Sequence, residues 1–256
     1  MDPMPVLAAA FAPADLAAVG LLLALWALLE RLVRPAQGPA RSTGEIMATW
    51  RLRWFEAAAE RDVRIVDSQI VASLRGGVAL FISGSLIALG GAIALIGRAD
   101  QVATIAADLA GGEAPRAAWT IKILLVIAVL ATAFLQFVWS HRVFGYCSVM
   151  LGAIPNDPGS PEARAVARRA GLLSIRAARS FNGGLRAIYF ALAALAWLVG
   201  PGALAVAASV TFATLYRREF LSETRRILLD AGTAAEAAPP EAVNGESTKP
   251  ADVRRR

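Results

Sequence analysis

WTIKILLVIAVLATAFLQFVW, residues 119–139, decides the architecture of this chain. Trp119 and Trp139 bracket an apolar run that, wound as helix, is about 30 Å long, the thickness of a bilayer's hydrocarbon core. Tryptophans favour the two membrane–water interfaces, so the pair marks both ends of a crossing. Lys122 lies one turn inside one end and is expected to snorkel to the headgroups.

Outward from this run, four more apolar stretches give expected spans at about 16–32, 77–97, 184–199 and 202–218, with the central one set at 119–140. Gly200-Pro201-Gly202 separates the last two. Proline removes a backbone donor and clashes with the preceding turn, and the glycines favour a reversal, so a tight helical hairpin is expected. Its arms reach only roughly 24 Å at 1.5 Å per residue. A hairpin that stops short of the far surface therefore stays open beside a full crossing. The first span has no basic stretch before it and carries Arg31 and Arg34 after it, which suits an anchor and not a cleaved signal peptide.

The basic residues fall into every second gap. Residues 1–15 hold none, 30–76 hold eight, 98–118 hold two, 140–186 hold seven, and Arg217 and Arg218 follow the last span. Positive segments stay cytoplasmic, which sets the N-terminus outside and the C-terminus inside and fits five crossings. Composition agrees: 57% of residues are hydrophobic, 18% are charged, and the mean hydropathy is +0.53. A soluble domain is usually closer to half apolar and a quarter charged. The net charge of +6 lies beside apolar spans. Anionic headgroups on the cytoplasmic side are therefore the expected partner, and nucleic acid is not.

Two cytoplasmic helices are expected. Residues 46–75 show Phe55, Ala59, Val63, Val66, Ile70 and Leu74 at three- and four-residue spacing, with no breaker before Gly76. Residues 160–181 begin with Ser160 as cap and Pro161 at the first position, and carry a stripe of Val166, Ala170, Leu173 and Ala177 among arginines. This helix is expected either to lie on headgroups or to pack on the first, and Asn182-Gly183-Gly184 is expected to break it. Residues 1–230 read as one membrane domain and 231–256 as a disordered tail.

Candidate functional residues gather at the cytoplasmic boundary: Asp67, Gln69, Arg75, His141, Arg142, Asn182 and Arg186, with Gln136 beside them. They suit paired, bundle-facing charges around an ion or ligand; headgroup contact and the orienting signal alone remain open. Asp67, on a mostly apolar helix end, wants a basic partner, for which Arg142 and Arg186 are candidates. Gly84, Ala88 and Ala92 form a small-residue face suited to close helix approach, which points to packing within the bundle over a pore lining, and which an accessory protein would use to bind another complex. With one cysteine, Cys147, and one histidine, His141, no intramolecular disulfide is possible and no zinc site or cofactor is expected. Phosphate-loop and dinucleotide signatures are absent.

Three stretches carry a family resemblance: RIVDSQIVASLRGGVALFISGSLIALGGAIALIG (64–97), FVWSHRVFGYCSVMLGAIP (137–155) and RSFNGGLRAIYFALAALAWLVGPGAL (179–204) with YRREF (216–220). Over roughly residues 10–230 the chain resembles an uncharacterised membrane protein family of bacteria and plants, domain of unknown function 599. The resemblance implies a multi-span integral protein of a bacterial inner or plasma membrane, and it brings no catalytic residues. The expected fold is all-α: a polytopic bundle of five membrane helices with amphipathic cytoplasmic extensions. The expected function is non-enzymatic, as an oligomeric or partner-binding accessory or scaffold protein. The alternative is a homo-oligomeric channel-like or transport protein whose cytoplasmic vestibule is built by the two extensions.

Overall fold

The computed structural model describes residues 11–34, 41–98, 101 and 116–237, and every regular element among them is helical. In chain order these are α1 (Pro13–Leu32), α2 (Thr43–Ala59), α3 (Ile65–Ile96), α4 (Arg116–Gly152), α5 (Pro161–Leu195), a 3-10 turn (Ala196–Leu198), α6 (Pro201–Phe220) and α7 (Glu223–Ala237). Among the described residues four helices, Pro13–Leu32, Ile65–Ile96, Ala117–Gly152 and Pro161–Leu198, are long and apolar enough to cross a membrane. The helix expected at 202–218 forms as α6, with Arg217 and Arg218 in its last turn. Gly200 precedes it at φ 154° and ψ 169°, a conformation glycine tolerates and other residues rarely adopt, and Pro201 starts the new helix. Residues 231–237 of the expected tail belong to α7; residues 238–256 lie outside the described residues.

α5 is the central strut. It runs against α4 along most of its length, against α2 in its first half, and against α6 and α1 in its second. Its contacts with α4 pair Cys147 with Ala170, Ser140 with Ala177 and Phe137 with Gly184, so the two helices are antiparallel. The Ser140 hydroxyl donates to the Ala177 carbonyl at 2.8 Å, and the Cys147 thiol donates to the Ala170 carbonyl at 3.3 Å. Both side chains are buried, so each polar group has the partner that burial demands.

The expected break at Asn182-Gly183-Gly184 does not occur: α5 is continuous through it. The glycines serve proximity. A Cβ at Gly184 would stand 2.5 Å from the Phe137 ring, and one at Gly183 would collide with the Gln136 amide. A side chain at either place would push α4 away, and the close approach is what buries Phe137 completely.

The expected single helix over residues 46–75 also does not occur. α2 stops at Ala59 and α3 starts at Ile65. Arg64 donates from Nε to the Ala58 carbonyl at 2.9 Å, and the Gly159 amide donates to the Ala59 carbonyl at 3.2 Å. The open carbonyls at the end of α2 are thus filled by other groups. The break lets α2 follow α5 while α3 follows α4. Phe55, Ala58 and Ala59 are buried, whereas Val63, Val66 and Ile70 of the expected stripe are exposed. α3 buries Val71, Val78, Ser85 and Ala92, seven residues apart. The expected small-residue face divides there, with Ala92 buried and Gly84 and Ala88 exposed.

The glycines of α5 and α3 should behave oppositely. Gly184→Ala is expected to lower stability by about 1–3 kcal/mol through overpacking against Phe137. Gly91→Ala, where nothing lies within 4 Å of the new carbon, is expected to leave the melting temperature in detergent unchanged or raise it. Equal melting of the two variants would refute the proximity role of Gly184.

Candidate functional site

The structure distributes the candidate residues over three places. Asp67, in the first turn of α3, is buried to 1% exposure. The Trp54 indole donates to its Oδ1 at 2.6 Å, and Arg61 forms an ion pair with the same oxygen. The partner is therefore neither Arg142 nor Arg186. The reversal between α2 and α3 brings Arg61 and Trp54 over Asp67, and this clasp closes the elbow. Its second oxygen, Oδ2, is buried without a hydrogen-bond partner among the described residues.

Arg75 and His141 form the second place, a bond from Arg75 Nε to His141 Nε2 at 3.2 Å between α3 and α4. Arg142 turns aside to the Tyr146 hydroxyl of its own helix, at 2.6 Å, and Gln69 is exposed.

Asn182 and Arg186 occupy the third place, a cavity of about 650 Å³ at the arginine-rich end of the bundle. Arg186 is buried and donates from two nitrogens to both oxygens of Glu30 on α1, each at 2.8 Å. Arg179 holds Glu45 of α2 in the same two-bond manner, at 3.2 Å each. Such forked pairs fix geometry as well as charge. Arg51 of α2 donates to the Ser174 hydroxyl at 3.1 Å, and burial pushes its guanidinium below its ordinary value. Arg218 bonds the Tyr189 hydroxyl at 2.8 Å, and Glu219 accepts from the Gly44 amide at 3.4 Å. The apolar wall comes from α3, through Leu74, Val78 and Phe81. The rings of Phe81, Phe137 and Phe181 lie 5.2–5.6 Å apart and meet beside Gln136 and Gly183.

Glu30, Glu45, Arg51 and Arg179 were not among the residues singled out from sequence. A signal for part of this set does exist there. Glu45 and Glu56 on α2 and Glu60 at its C-cap pair with Arg179, Arg168 and Arg164 on α5. The intervals along one helix repeat in reverse along the other, as two antiparallel neighbours require. Glu30 has no such pattern, because Glu30–Arg186 is the one ion pair between α1 and α5 among the described residues.

At the opposite end of α4, Lys122 is buried, with its ammonium 4.6 Å from the Trp119 ring centre and 5.7 Å from that of Trp197. The Trp197 indole donates to Asp15 at 2.8 Å. This lysine lies over two indole rings inside the bundle, where snorkelling to the headgroups was expected.

The architecture defines a class: among the described residues, an all-helical protein with four helices able to span a membrane. The particular family follows from comparison. Residues 16–224 match the model of a protein of unknown function, DUF599, and the chain belongs to that family. No match was found among curated proteins or solved structures.

The two kinds of ion pair should differ in worth. Glu30→Gln leaves the buried Arg186 without its counter-charge and is expected to cost about 3 kcal/mol. Glu60→Gln breaks a pair exposed on both sides and is expected to cost under about 1 kcal/mol. Unfolding in detergent measures both, and similar losses would show that Arg186 is solvated by other means. Asp67→Asn, which removes the charge facing Arg61, is expected to lower the melting temperature; an unchanged value would show that the clasp does not hold the elbow.

Proposed function

We propose that this protein is a five-span inner or plasma membrane protein, N-terminus outside and C-terminus inside. It works without catalytic chemistry, by binding another membrane helix along α3. The helix break at Gly200 and the Arg217-Arg218 end of α6 support a fifth span, since a fifth crossing returns those arginines to the basic side.

The observation that carries the binding role is the uncovered face of α3. Within this chain α3 packs mainly on α4. Gly84 and Gly91, one position before the buried Ser85 and Ala92, lie about 100° round the helix from that contact. Nothing stands within 4 Å of a Cβ placed at either one, and Ala88 between them is exposed. Lipid chains fill such a face without gain, whereas a second helix at close range gains dispersion contact and interhelical Cα–H···O bonds. The second copy of this chain or another subunit supplies that helix.

A channel-like role is the second reading, favoured by the cavity at the arginine-rich end. The aromatic cluster of Phe81, Phe137 and Phe181 at its inner limit weighs against conduction through one chain.

Cross-linking tests the role. Gly84→Cys in a Cys147→Ser background, oxidised in its own membrane, is expected to give a band of dimer size, or of a defined larger complex. Gly84→Leu is expected to abolish that association in native mass spectrometry of lipid particles. No cross-linked band from Gly84→Cys, together with a wild-type chain that is monomeric and alone in native mass spectra, would end the proposal.

A further inference from the structure

The cavity is the second feature of this molecule that points to a ligand, and it rests on different residues from the glycine face of α3. We propose that it binds one anionic membrane lipid, with the headgroup at Arg51 and part of an acyl chain against Leu74 and Phe81.

Charge is the first argument. Five arginines line the space, at 34, 51, 179, 186 and 218, against the three glutamates Glu30, Glu45 and Glu219, an excess of two positive charges. Glu30 and Glu45 are each engaged by one arginine through both oxygens. Of the other three, Arg34 is exposed, and Arg51 and Arg218 lie on the neutral hydroxyls of Ser174 and Tyr189. No carboxylate bonds either one among the described residues. Arg51 is half-buried, and a cation withdrawn from water gains most from an anion brought to it.

Shape and polarity are the second argument. About 650 Å³ lies within the range of small-ligand sites and accommodates a headgroup with the start of one chain. α3 contributes no charged residue to the lining. Leu74 is half-buried and Phe81 is exposed, an arrangement that leaves apolar surface beside a guanidinium. A small soluble anion would use the arginine and leave that wall wet; an amphiphile uses both. α1 packs on α6 and α5, α3 packs on α4, and the cavity lies where both helices contribute walls.

The test uses the full chain in neutral detergent, with phosphatidylglycerol, phosphatidylcholine and inorganic phosphate as probes. Phosphatidylglycerol is expected to raise the melting temperature and to remain bound as one lipid in native mass spectra. Phosphatidylcholine and phosphate are expected to do neither. Arg51→Gln is expected to weaken retention about tenfold, the worth of one charge-assisted hydrogen bond. Should Arg51→Gln fail to fold, Ala48→Glu provides the second variant. Ala48 lines the cavity one turn before Arg51, so the new carboxylate supplies an internal counter-charge in the headgroup's place. It is expected to keep the fold and expel the lipid. Equal retention of the two lipids would overturn the proposal. So would stabilisation by phosphate as strong as by phosphatidylglycerol, or wild-type retention in a folded Arg51→Gln or Ala48→Glu variant.

Discussion

The close approach of α4 and α5 is the constraint on which the rest of the bundle depends. Two adjacent glycines remove the side chains that would hold the helices apart, and Phe137 and Gln136 fill the space they leave. With the seam closed, Ser140 and Cys147 reach carbonyls of the facing helix, and buried polar groups become cross-helix ties. The same seam fixes the azimuth of α5. Gly171 and Ser174 then face Phe55 and Arg51 of α2, and Arg186 faces Glu30 on α1. The cavity is what remains between those fixed walls.

The elbow at residues 60–64 solves a second problem. α2 and α3 are adjacent in sequence yet serve different neighbours, so the chain must change direction without leaving carbonyls and a carboxylate stranded. Arg64 takes a carbonyl of α2 and reaches the carbonyl of Pro155, while Arg61 and Trp54 fold onto Asp67. Three side chains thus join the end of α2, the start of α3 and the loop after α4. The two elements that carry the cavity's charged and apolar walls are held at a defined angle by this one knot.

Much of this was legible in the residues. Apolar runs and the placement of arginines located the helices able to span a membrane, and Ser160 with Pro161 located the start of α5, where the Ser160 hydroxyl accepts from Ala163. The errors share one physical cause. A Gly-Gly pair reads locally as a helix end, yet at Gly183-Gly184 its meaning is set by Phe137, far away in the chain. The periodicity of residues 46–75 carries no mark of the change of neighbour at Ala59. Asp67 was rightly marked as needing a cation, but the nearest one came from the turn just before it, which an unbroken helix would have pointed elsewhere. Contacts decided by tertiary neighbours outrank local preference.

The antiparallel pairing of α2 and α5 also has a consequence in time. The ion pairs that join them span from 104 to 134 positions of sequence. At about 5–20 residues per second, roughly 5–30 s of synthesis separate the two helices. During that interval α2 is complete, but Phe55 and Ala59 have nothing to rest on. The nascent chain therefore carries a finished helix with an open apolar face until α5 emerges. That waiting period is the stage of biogenesis at which a chaperone, or the membrane surface itself, must hold the place that α5 will take.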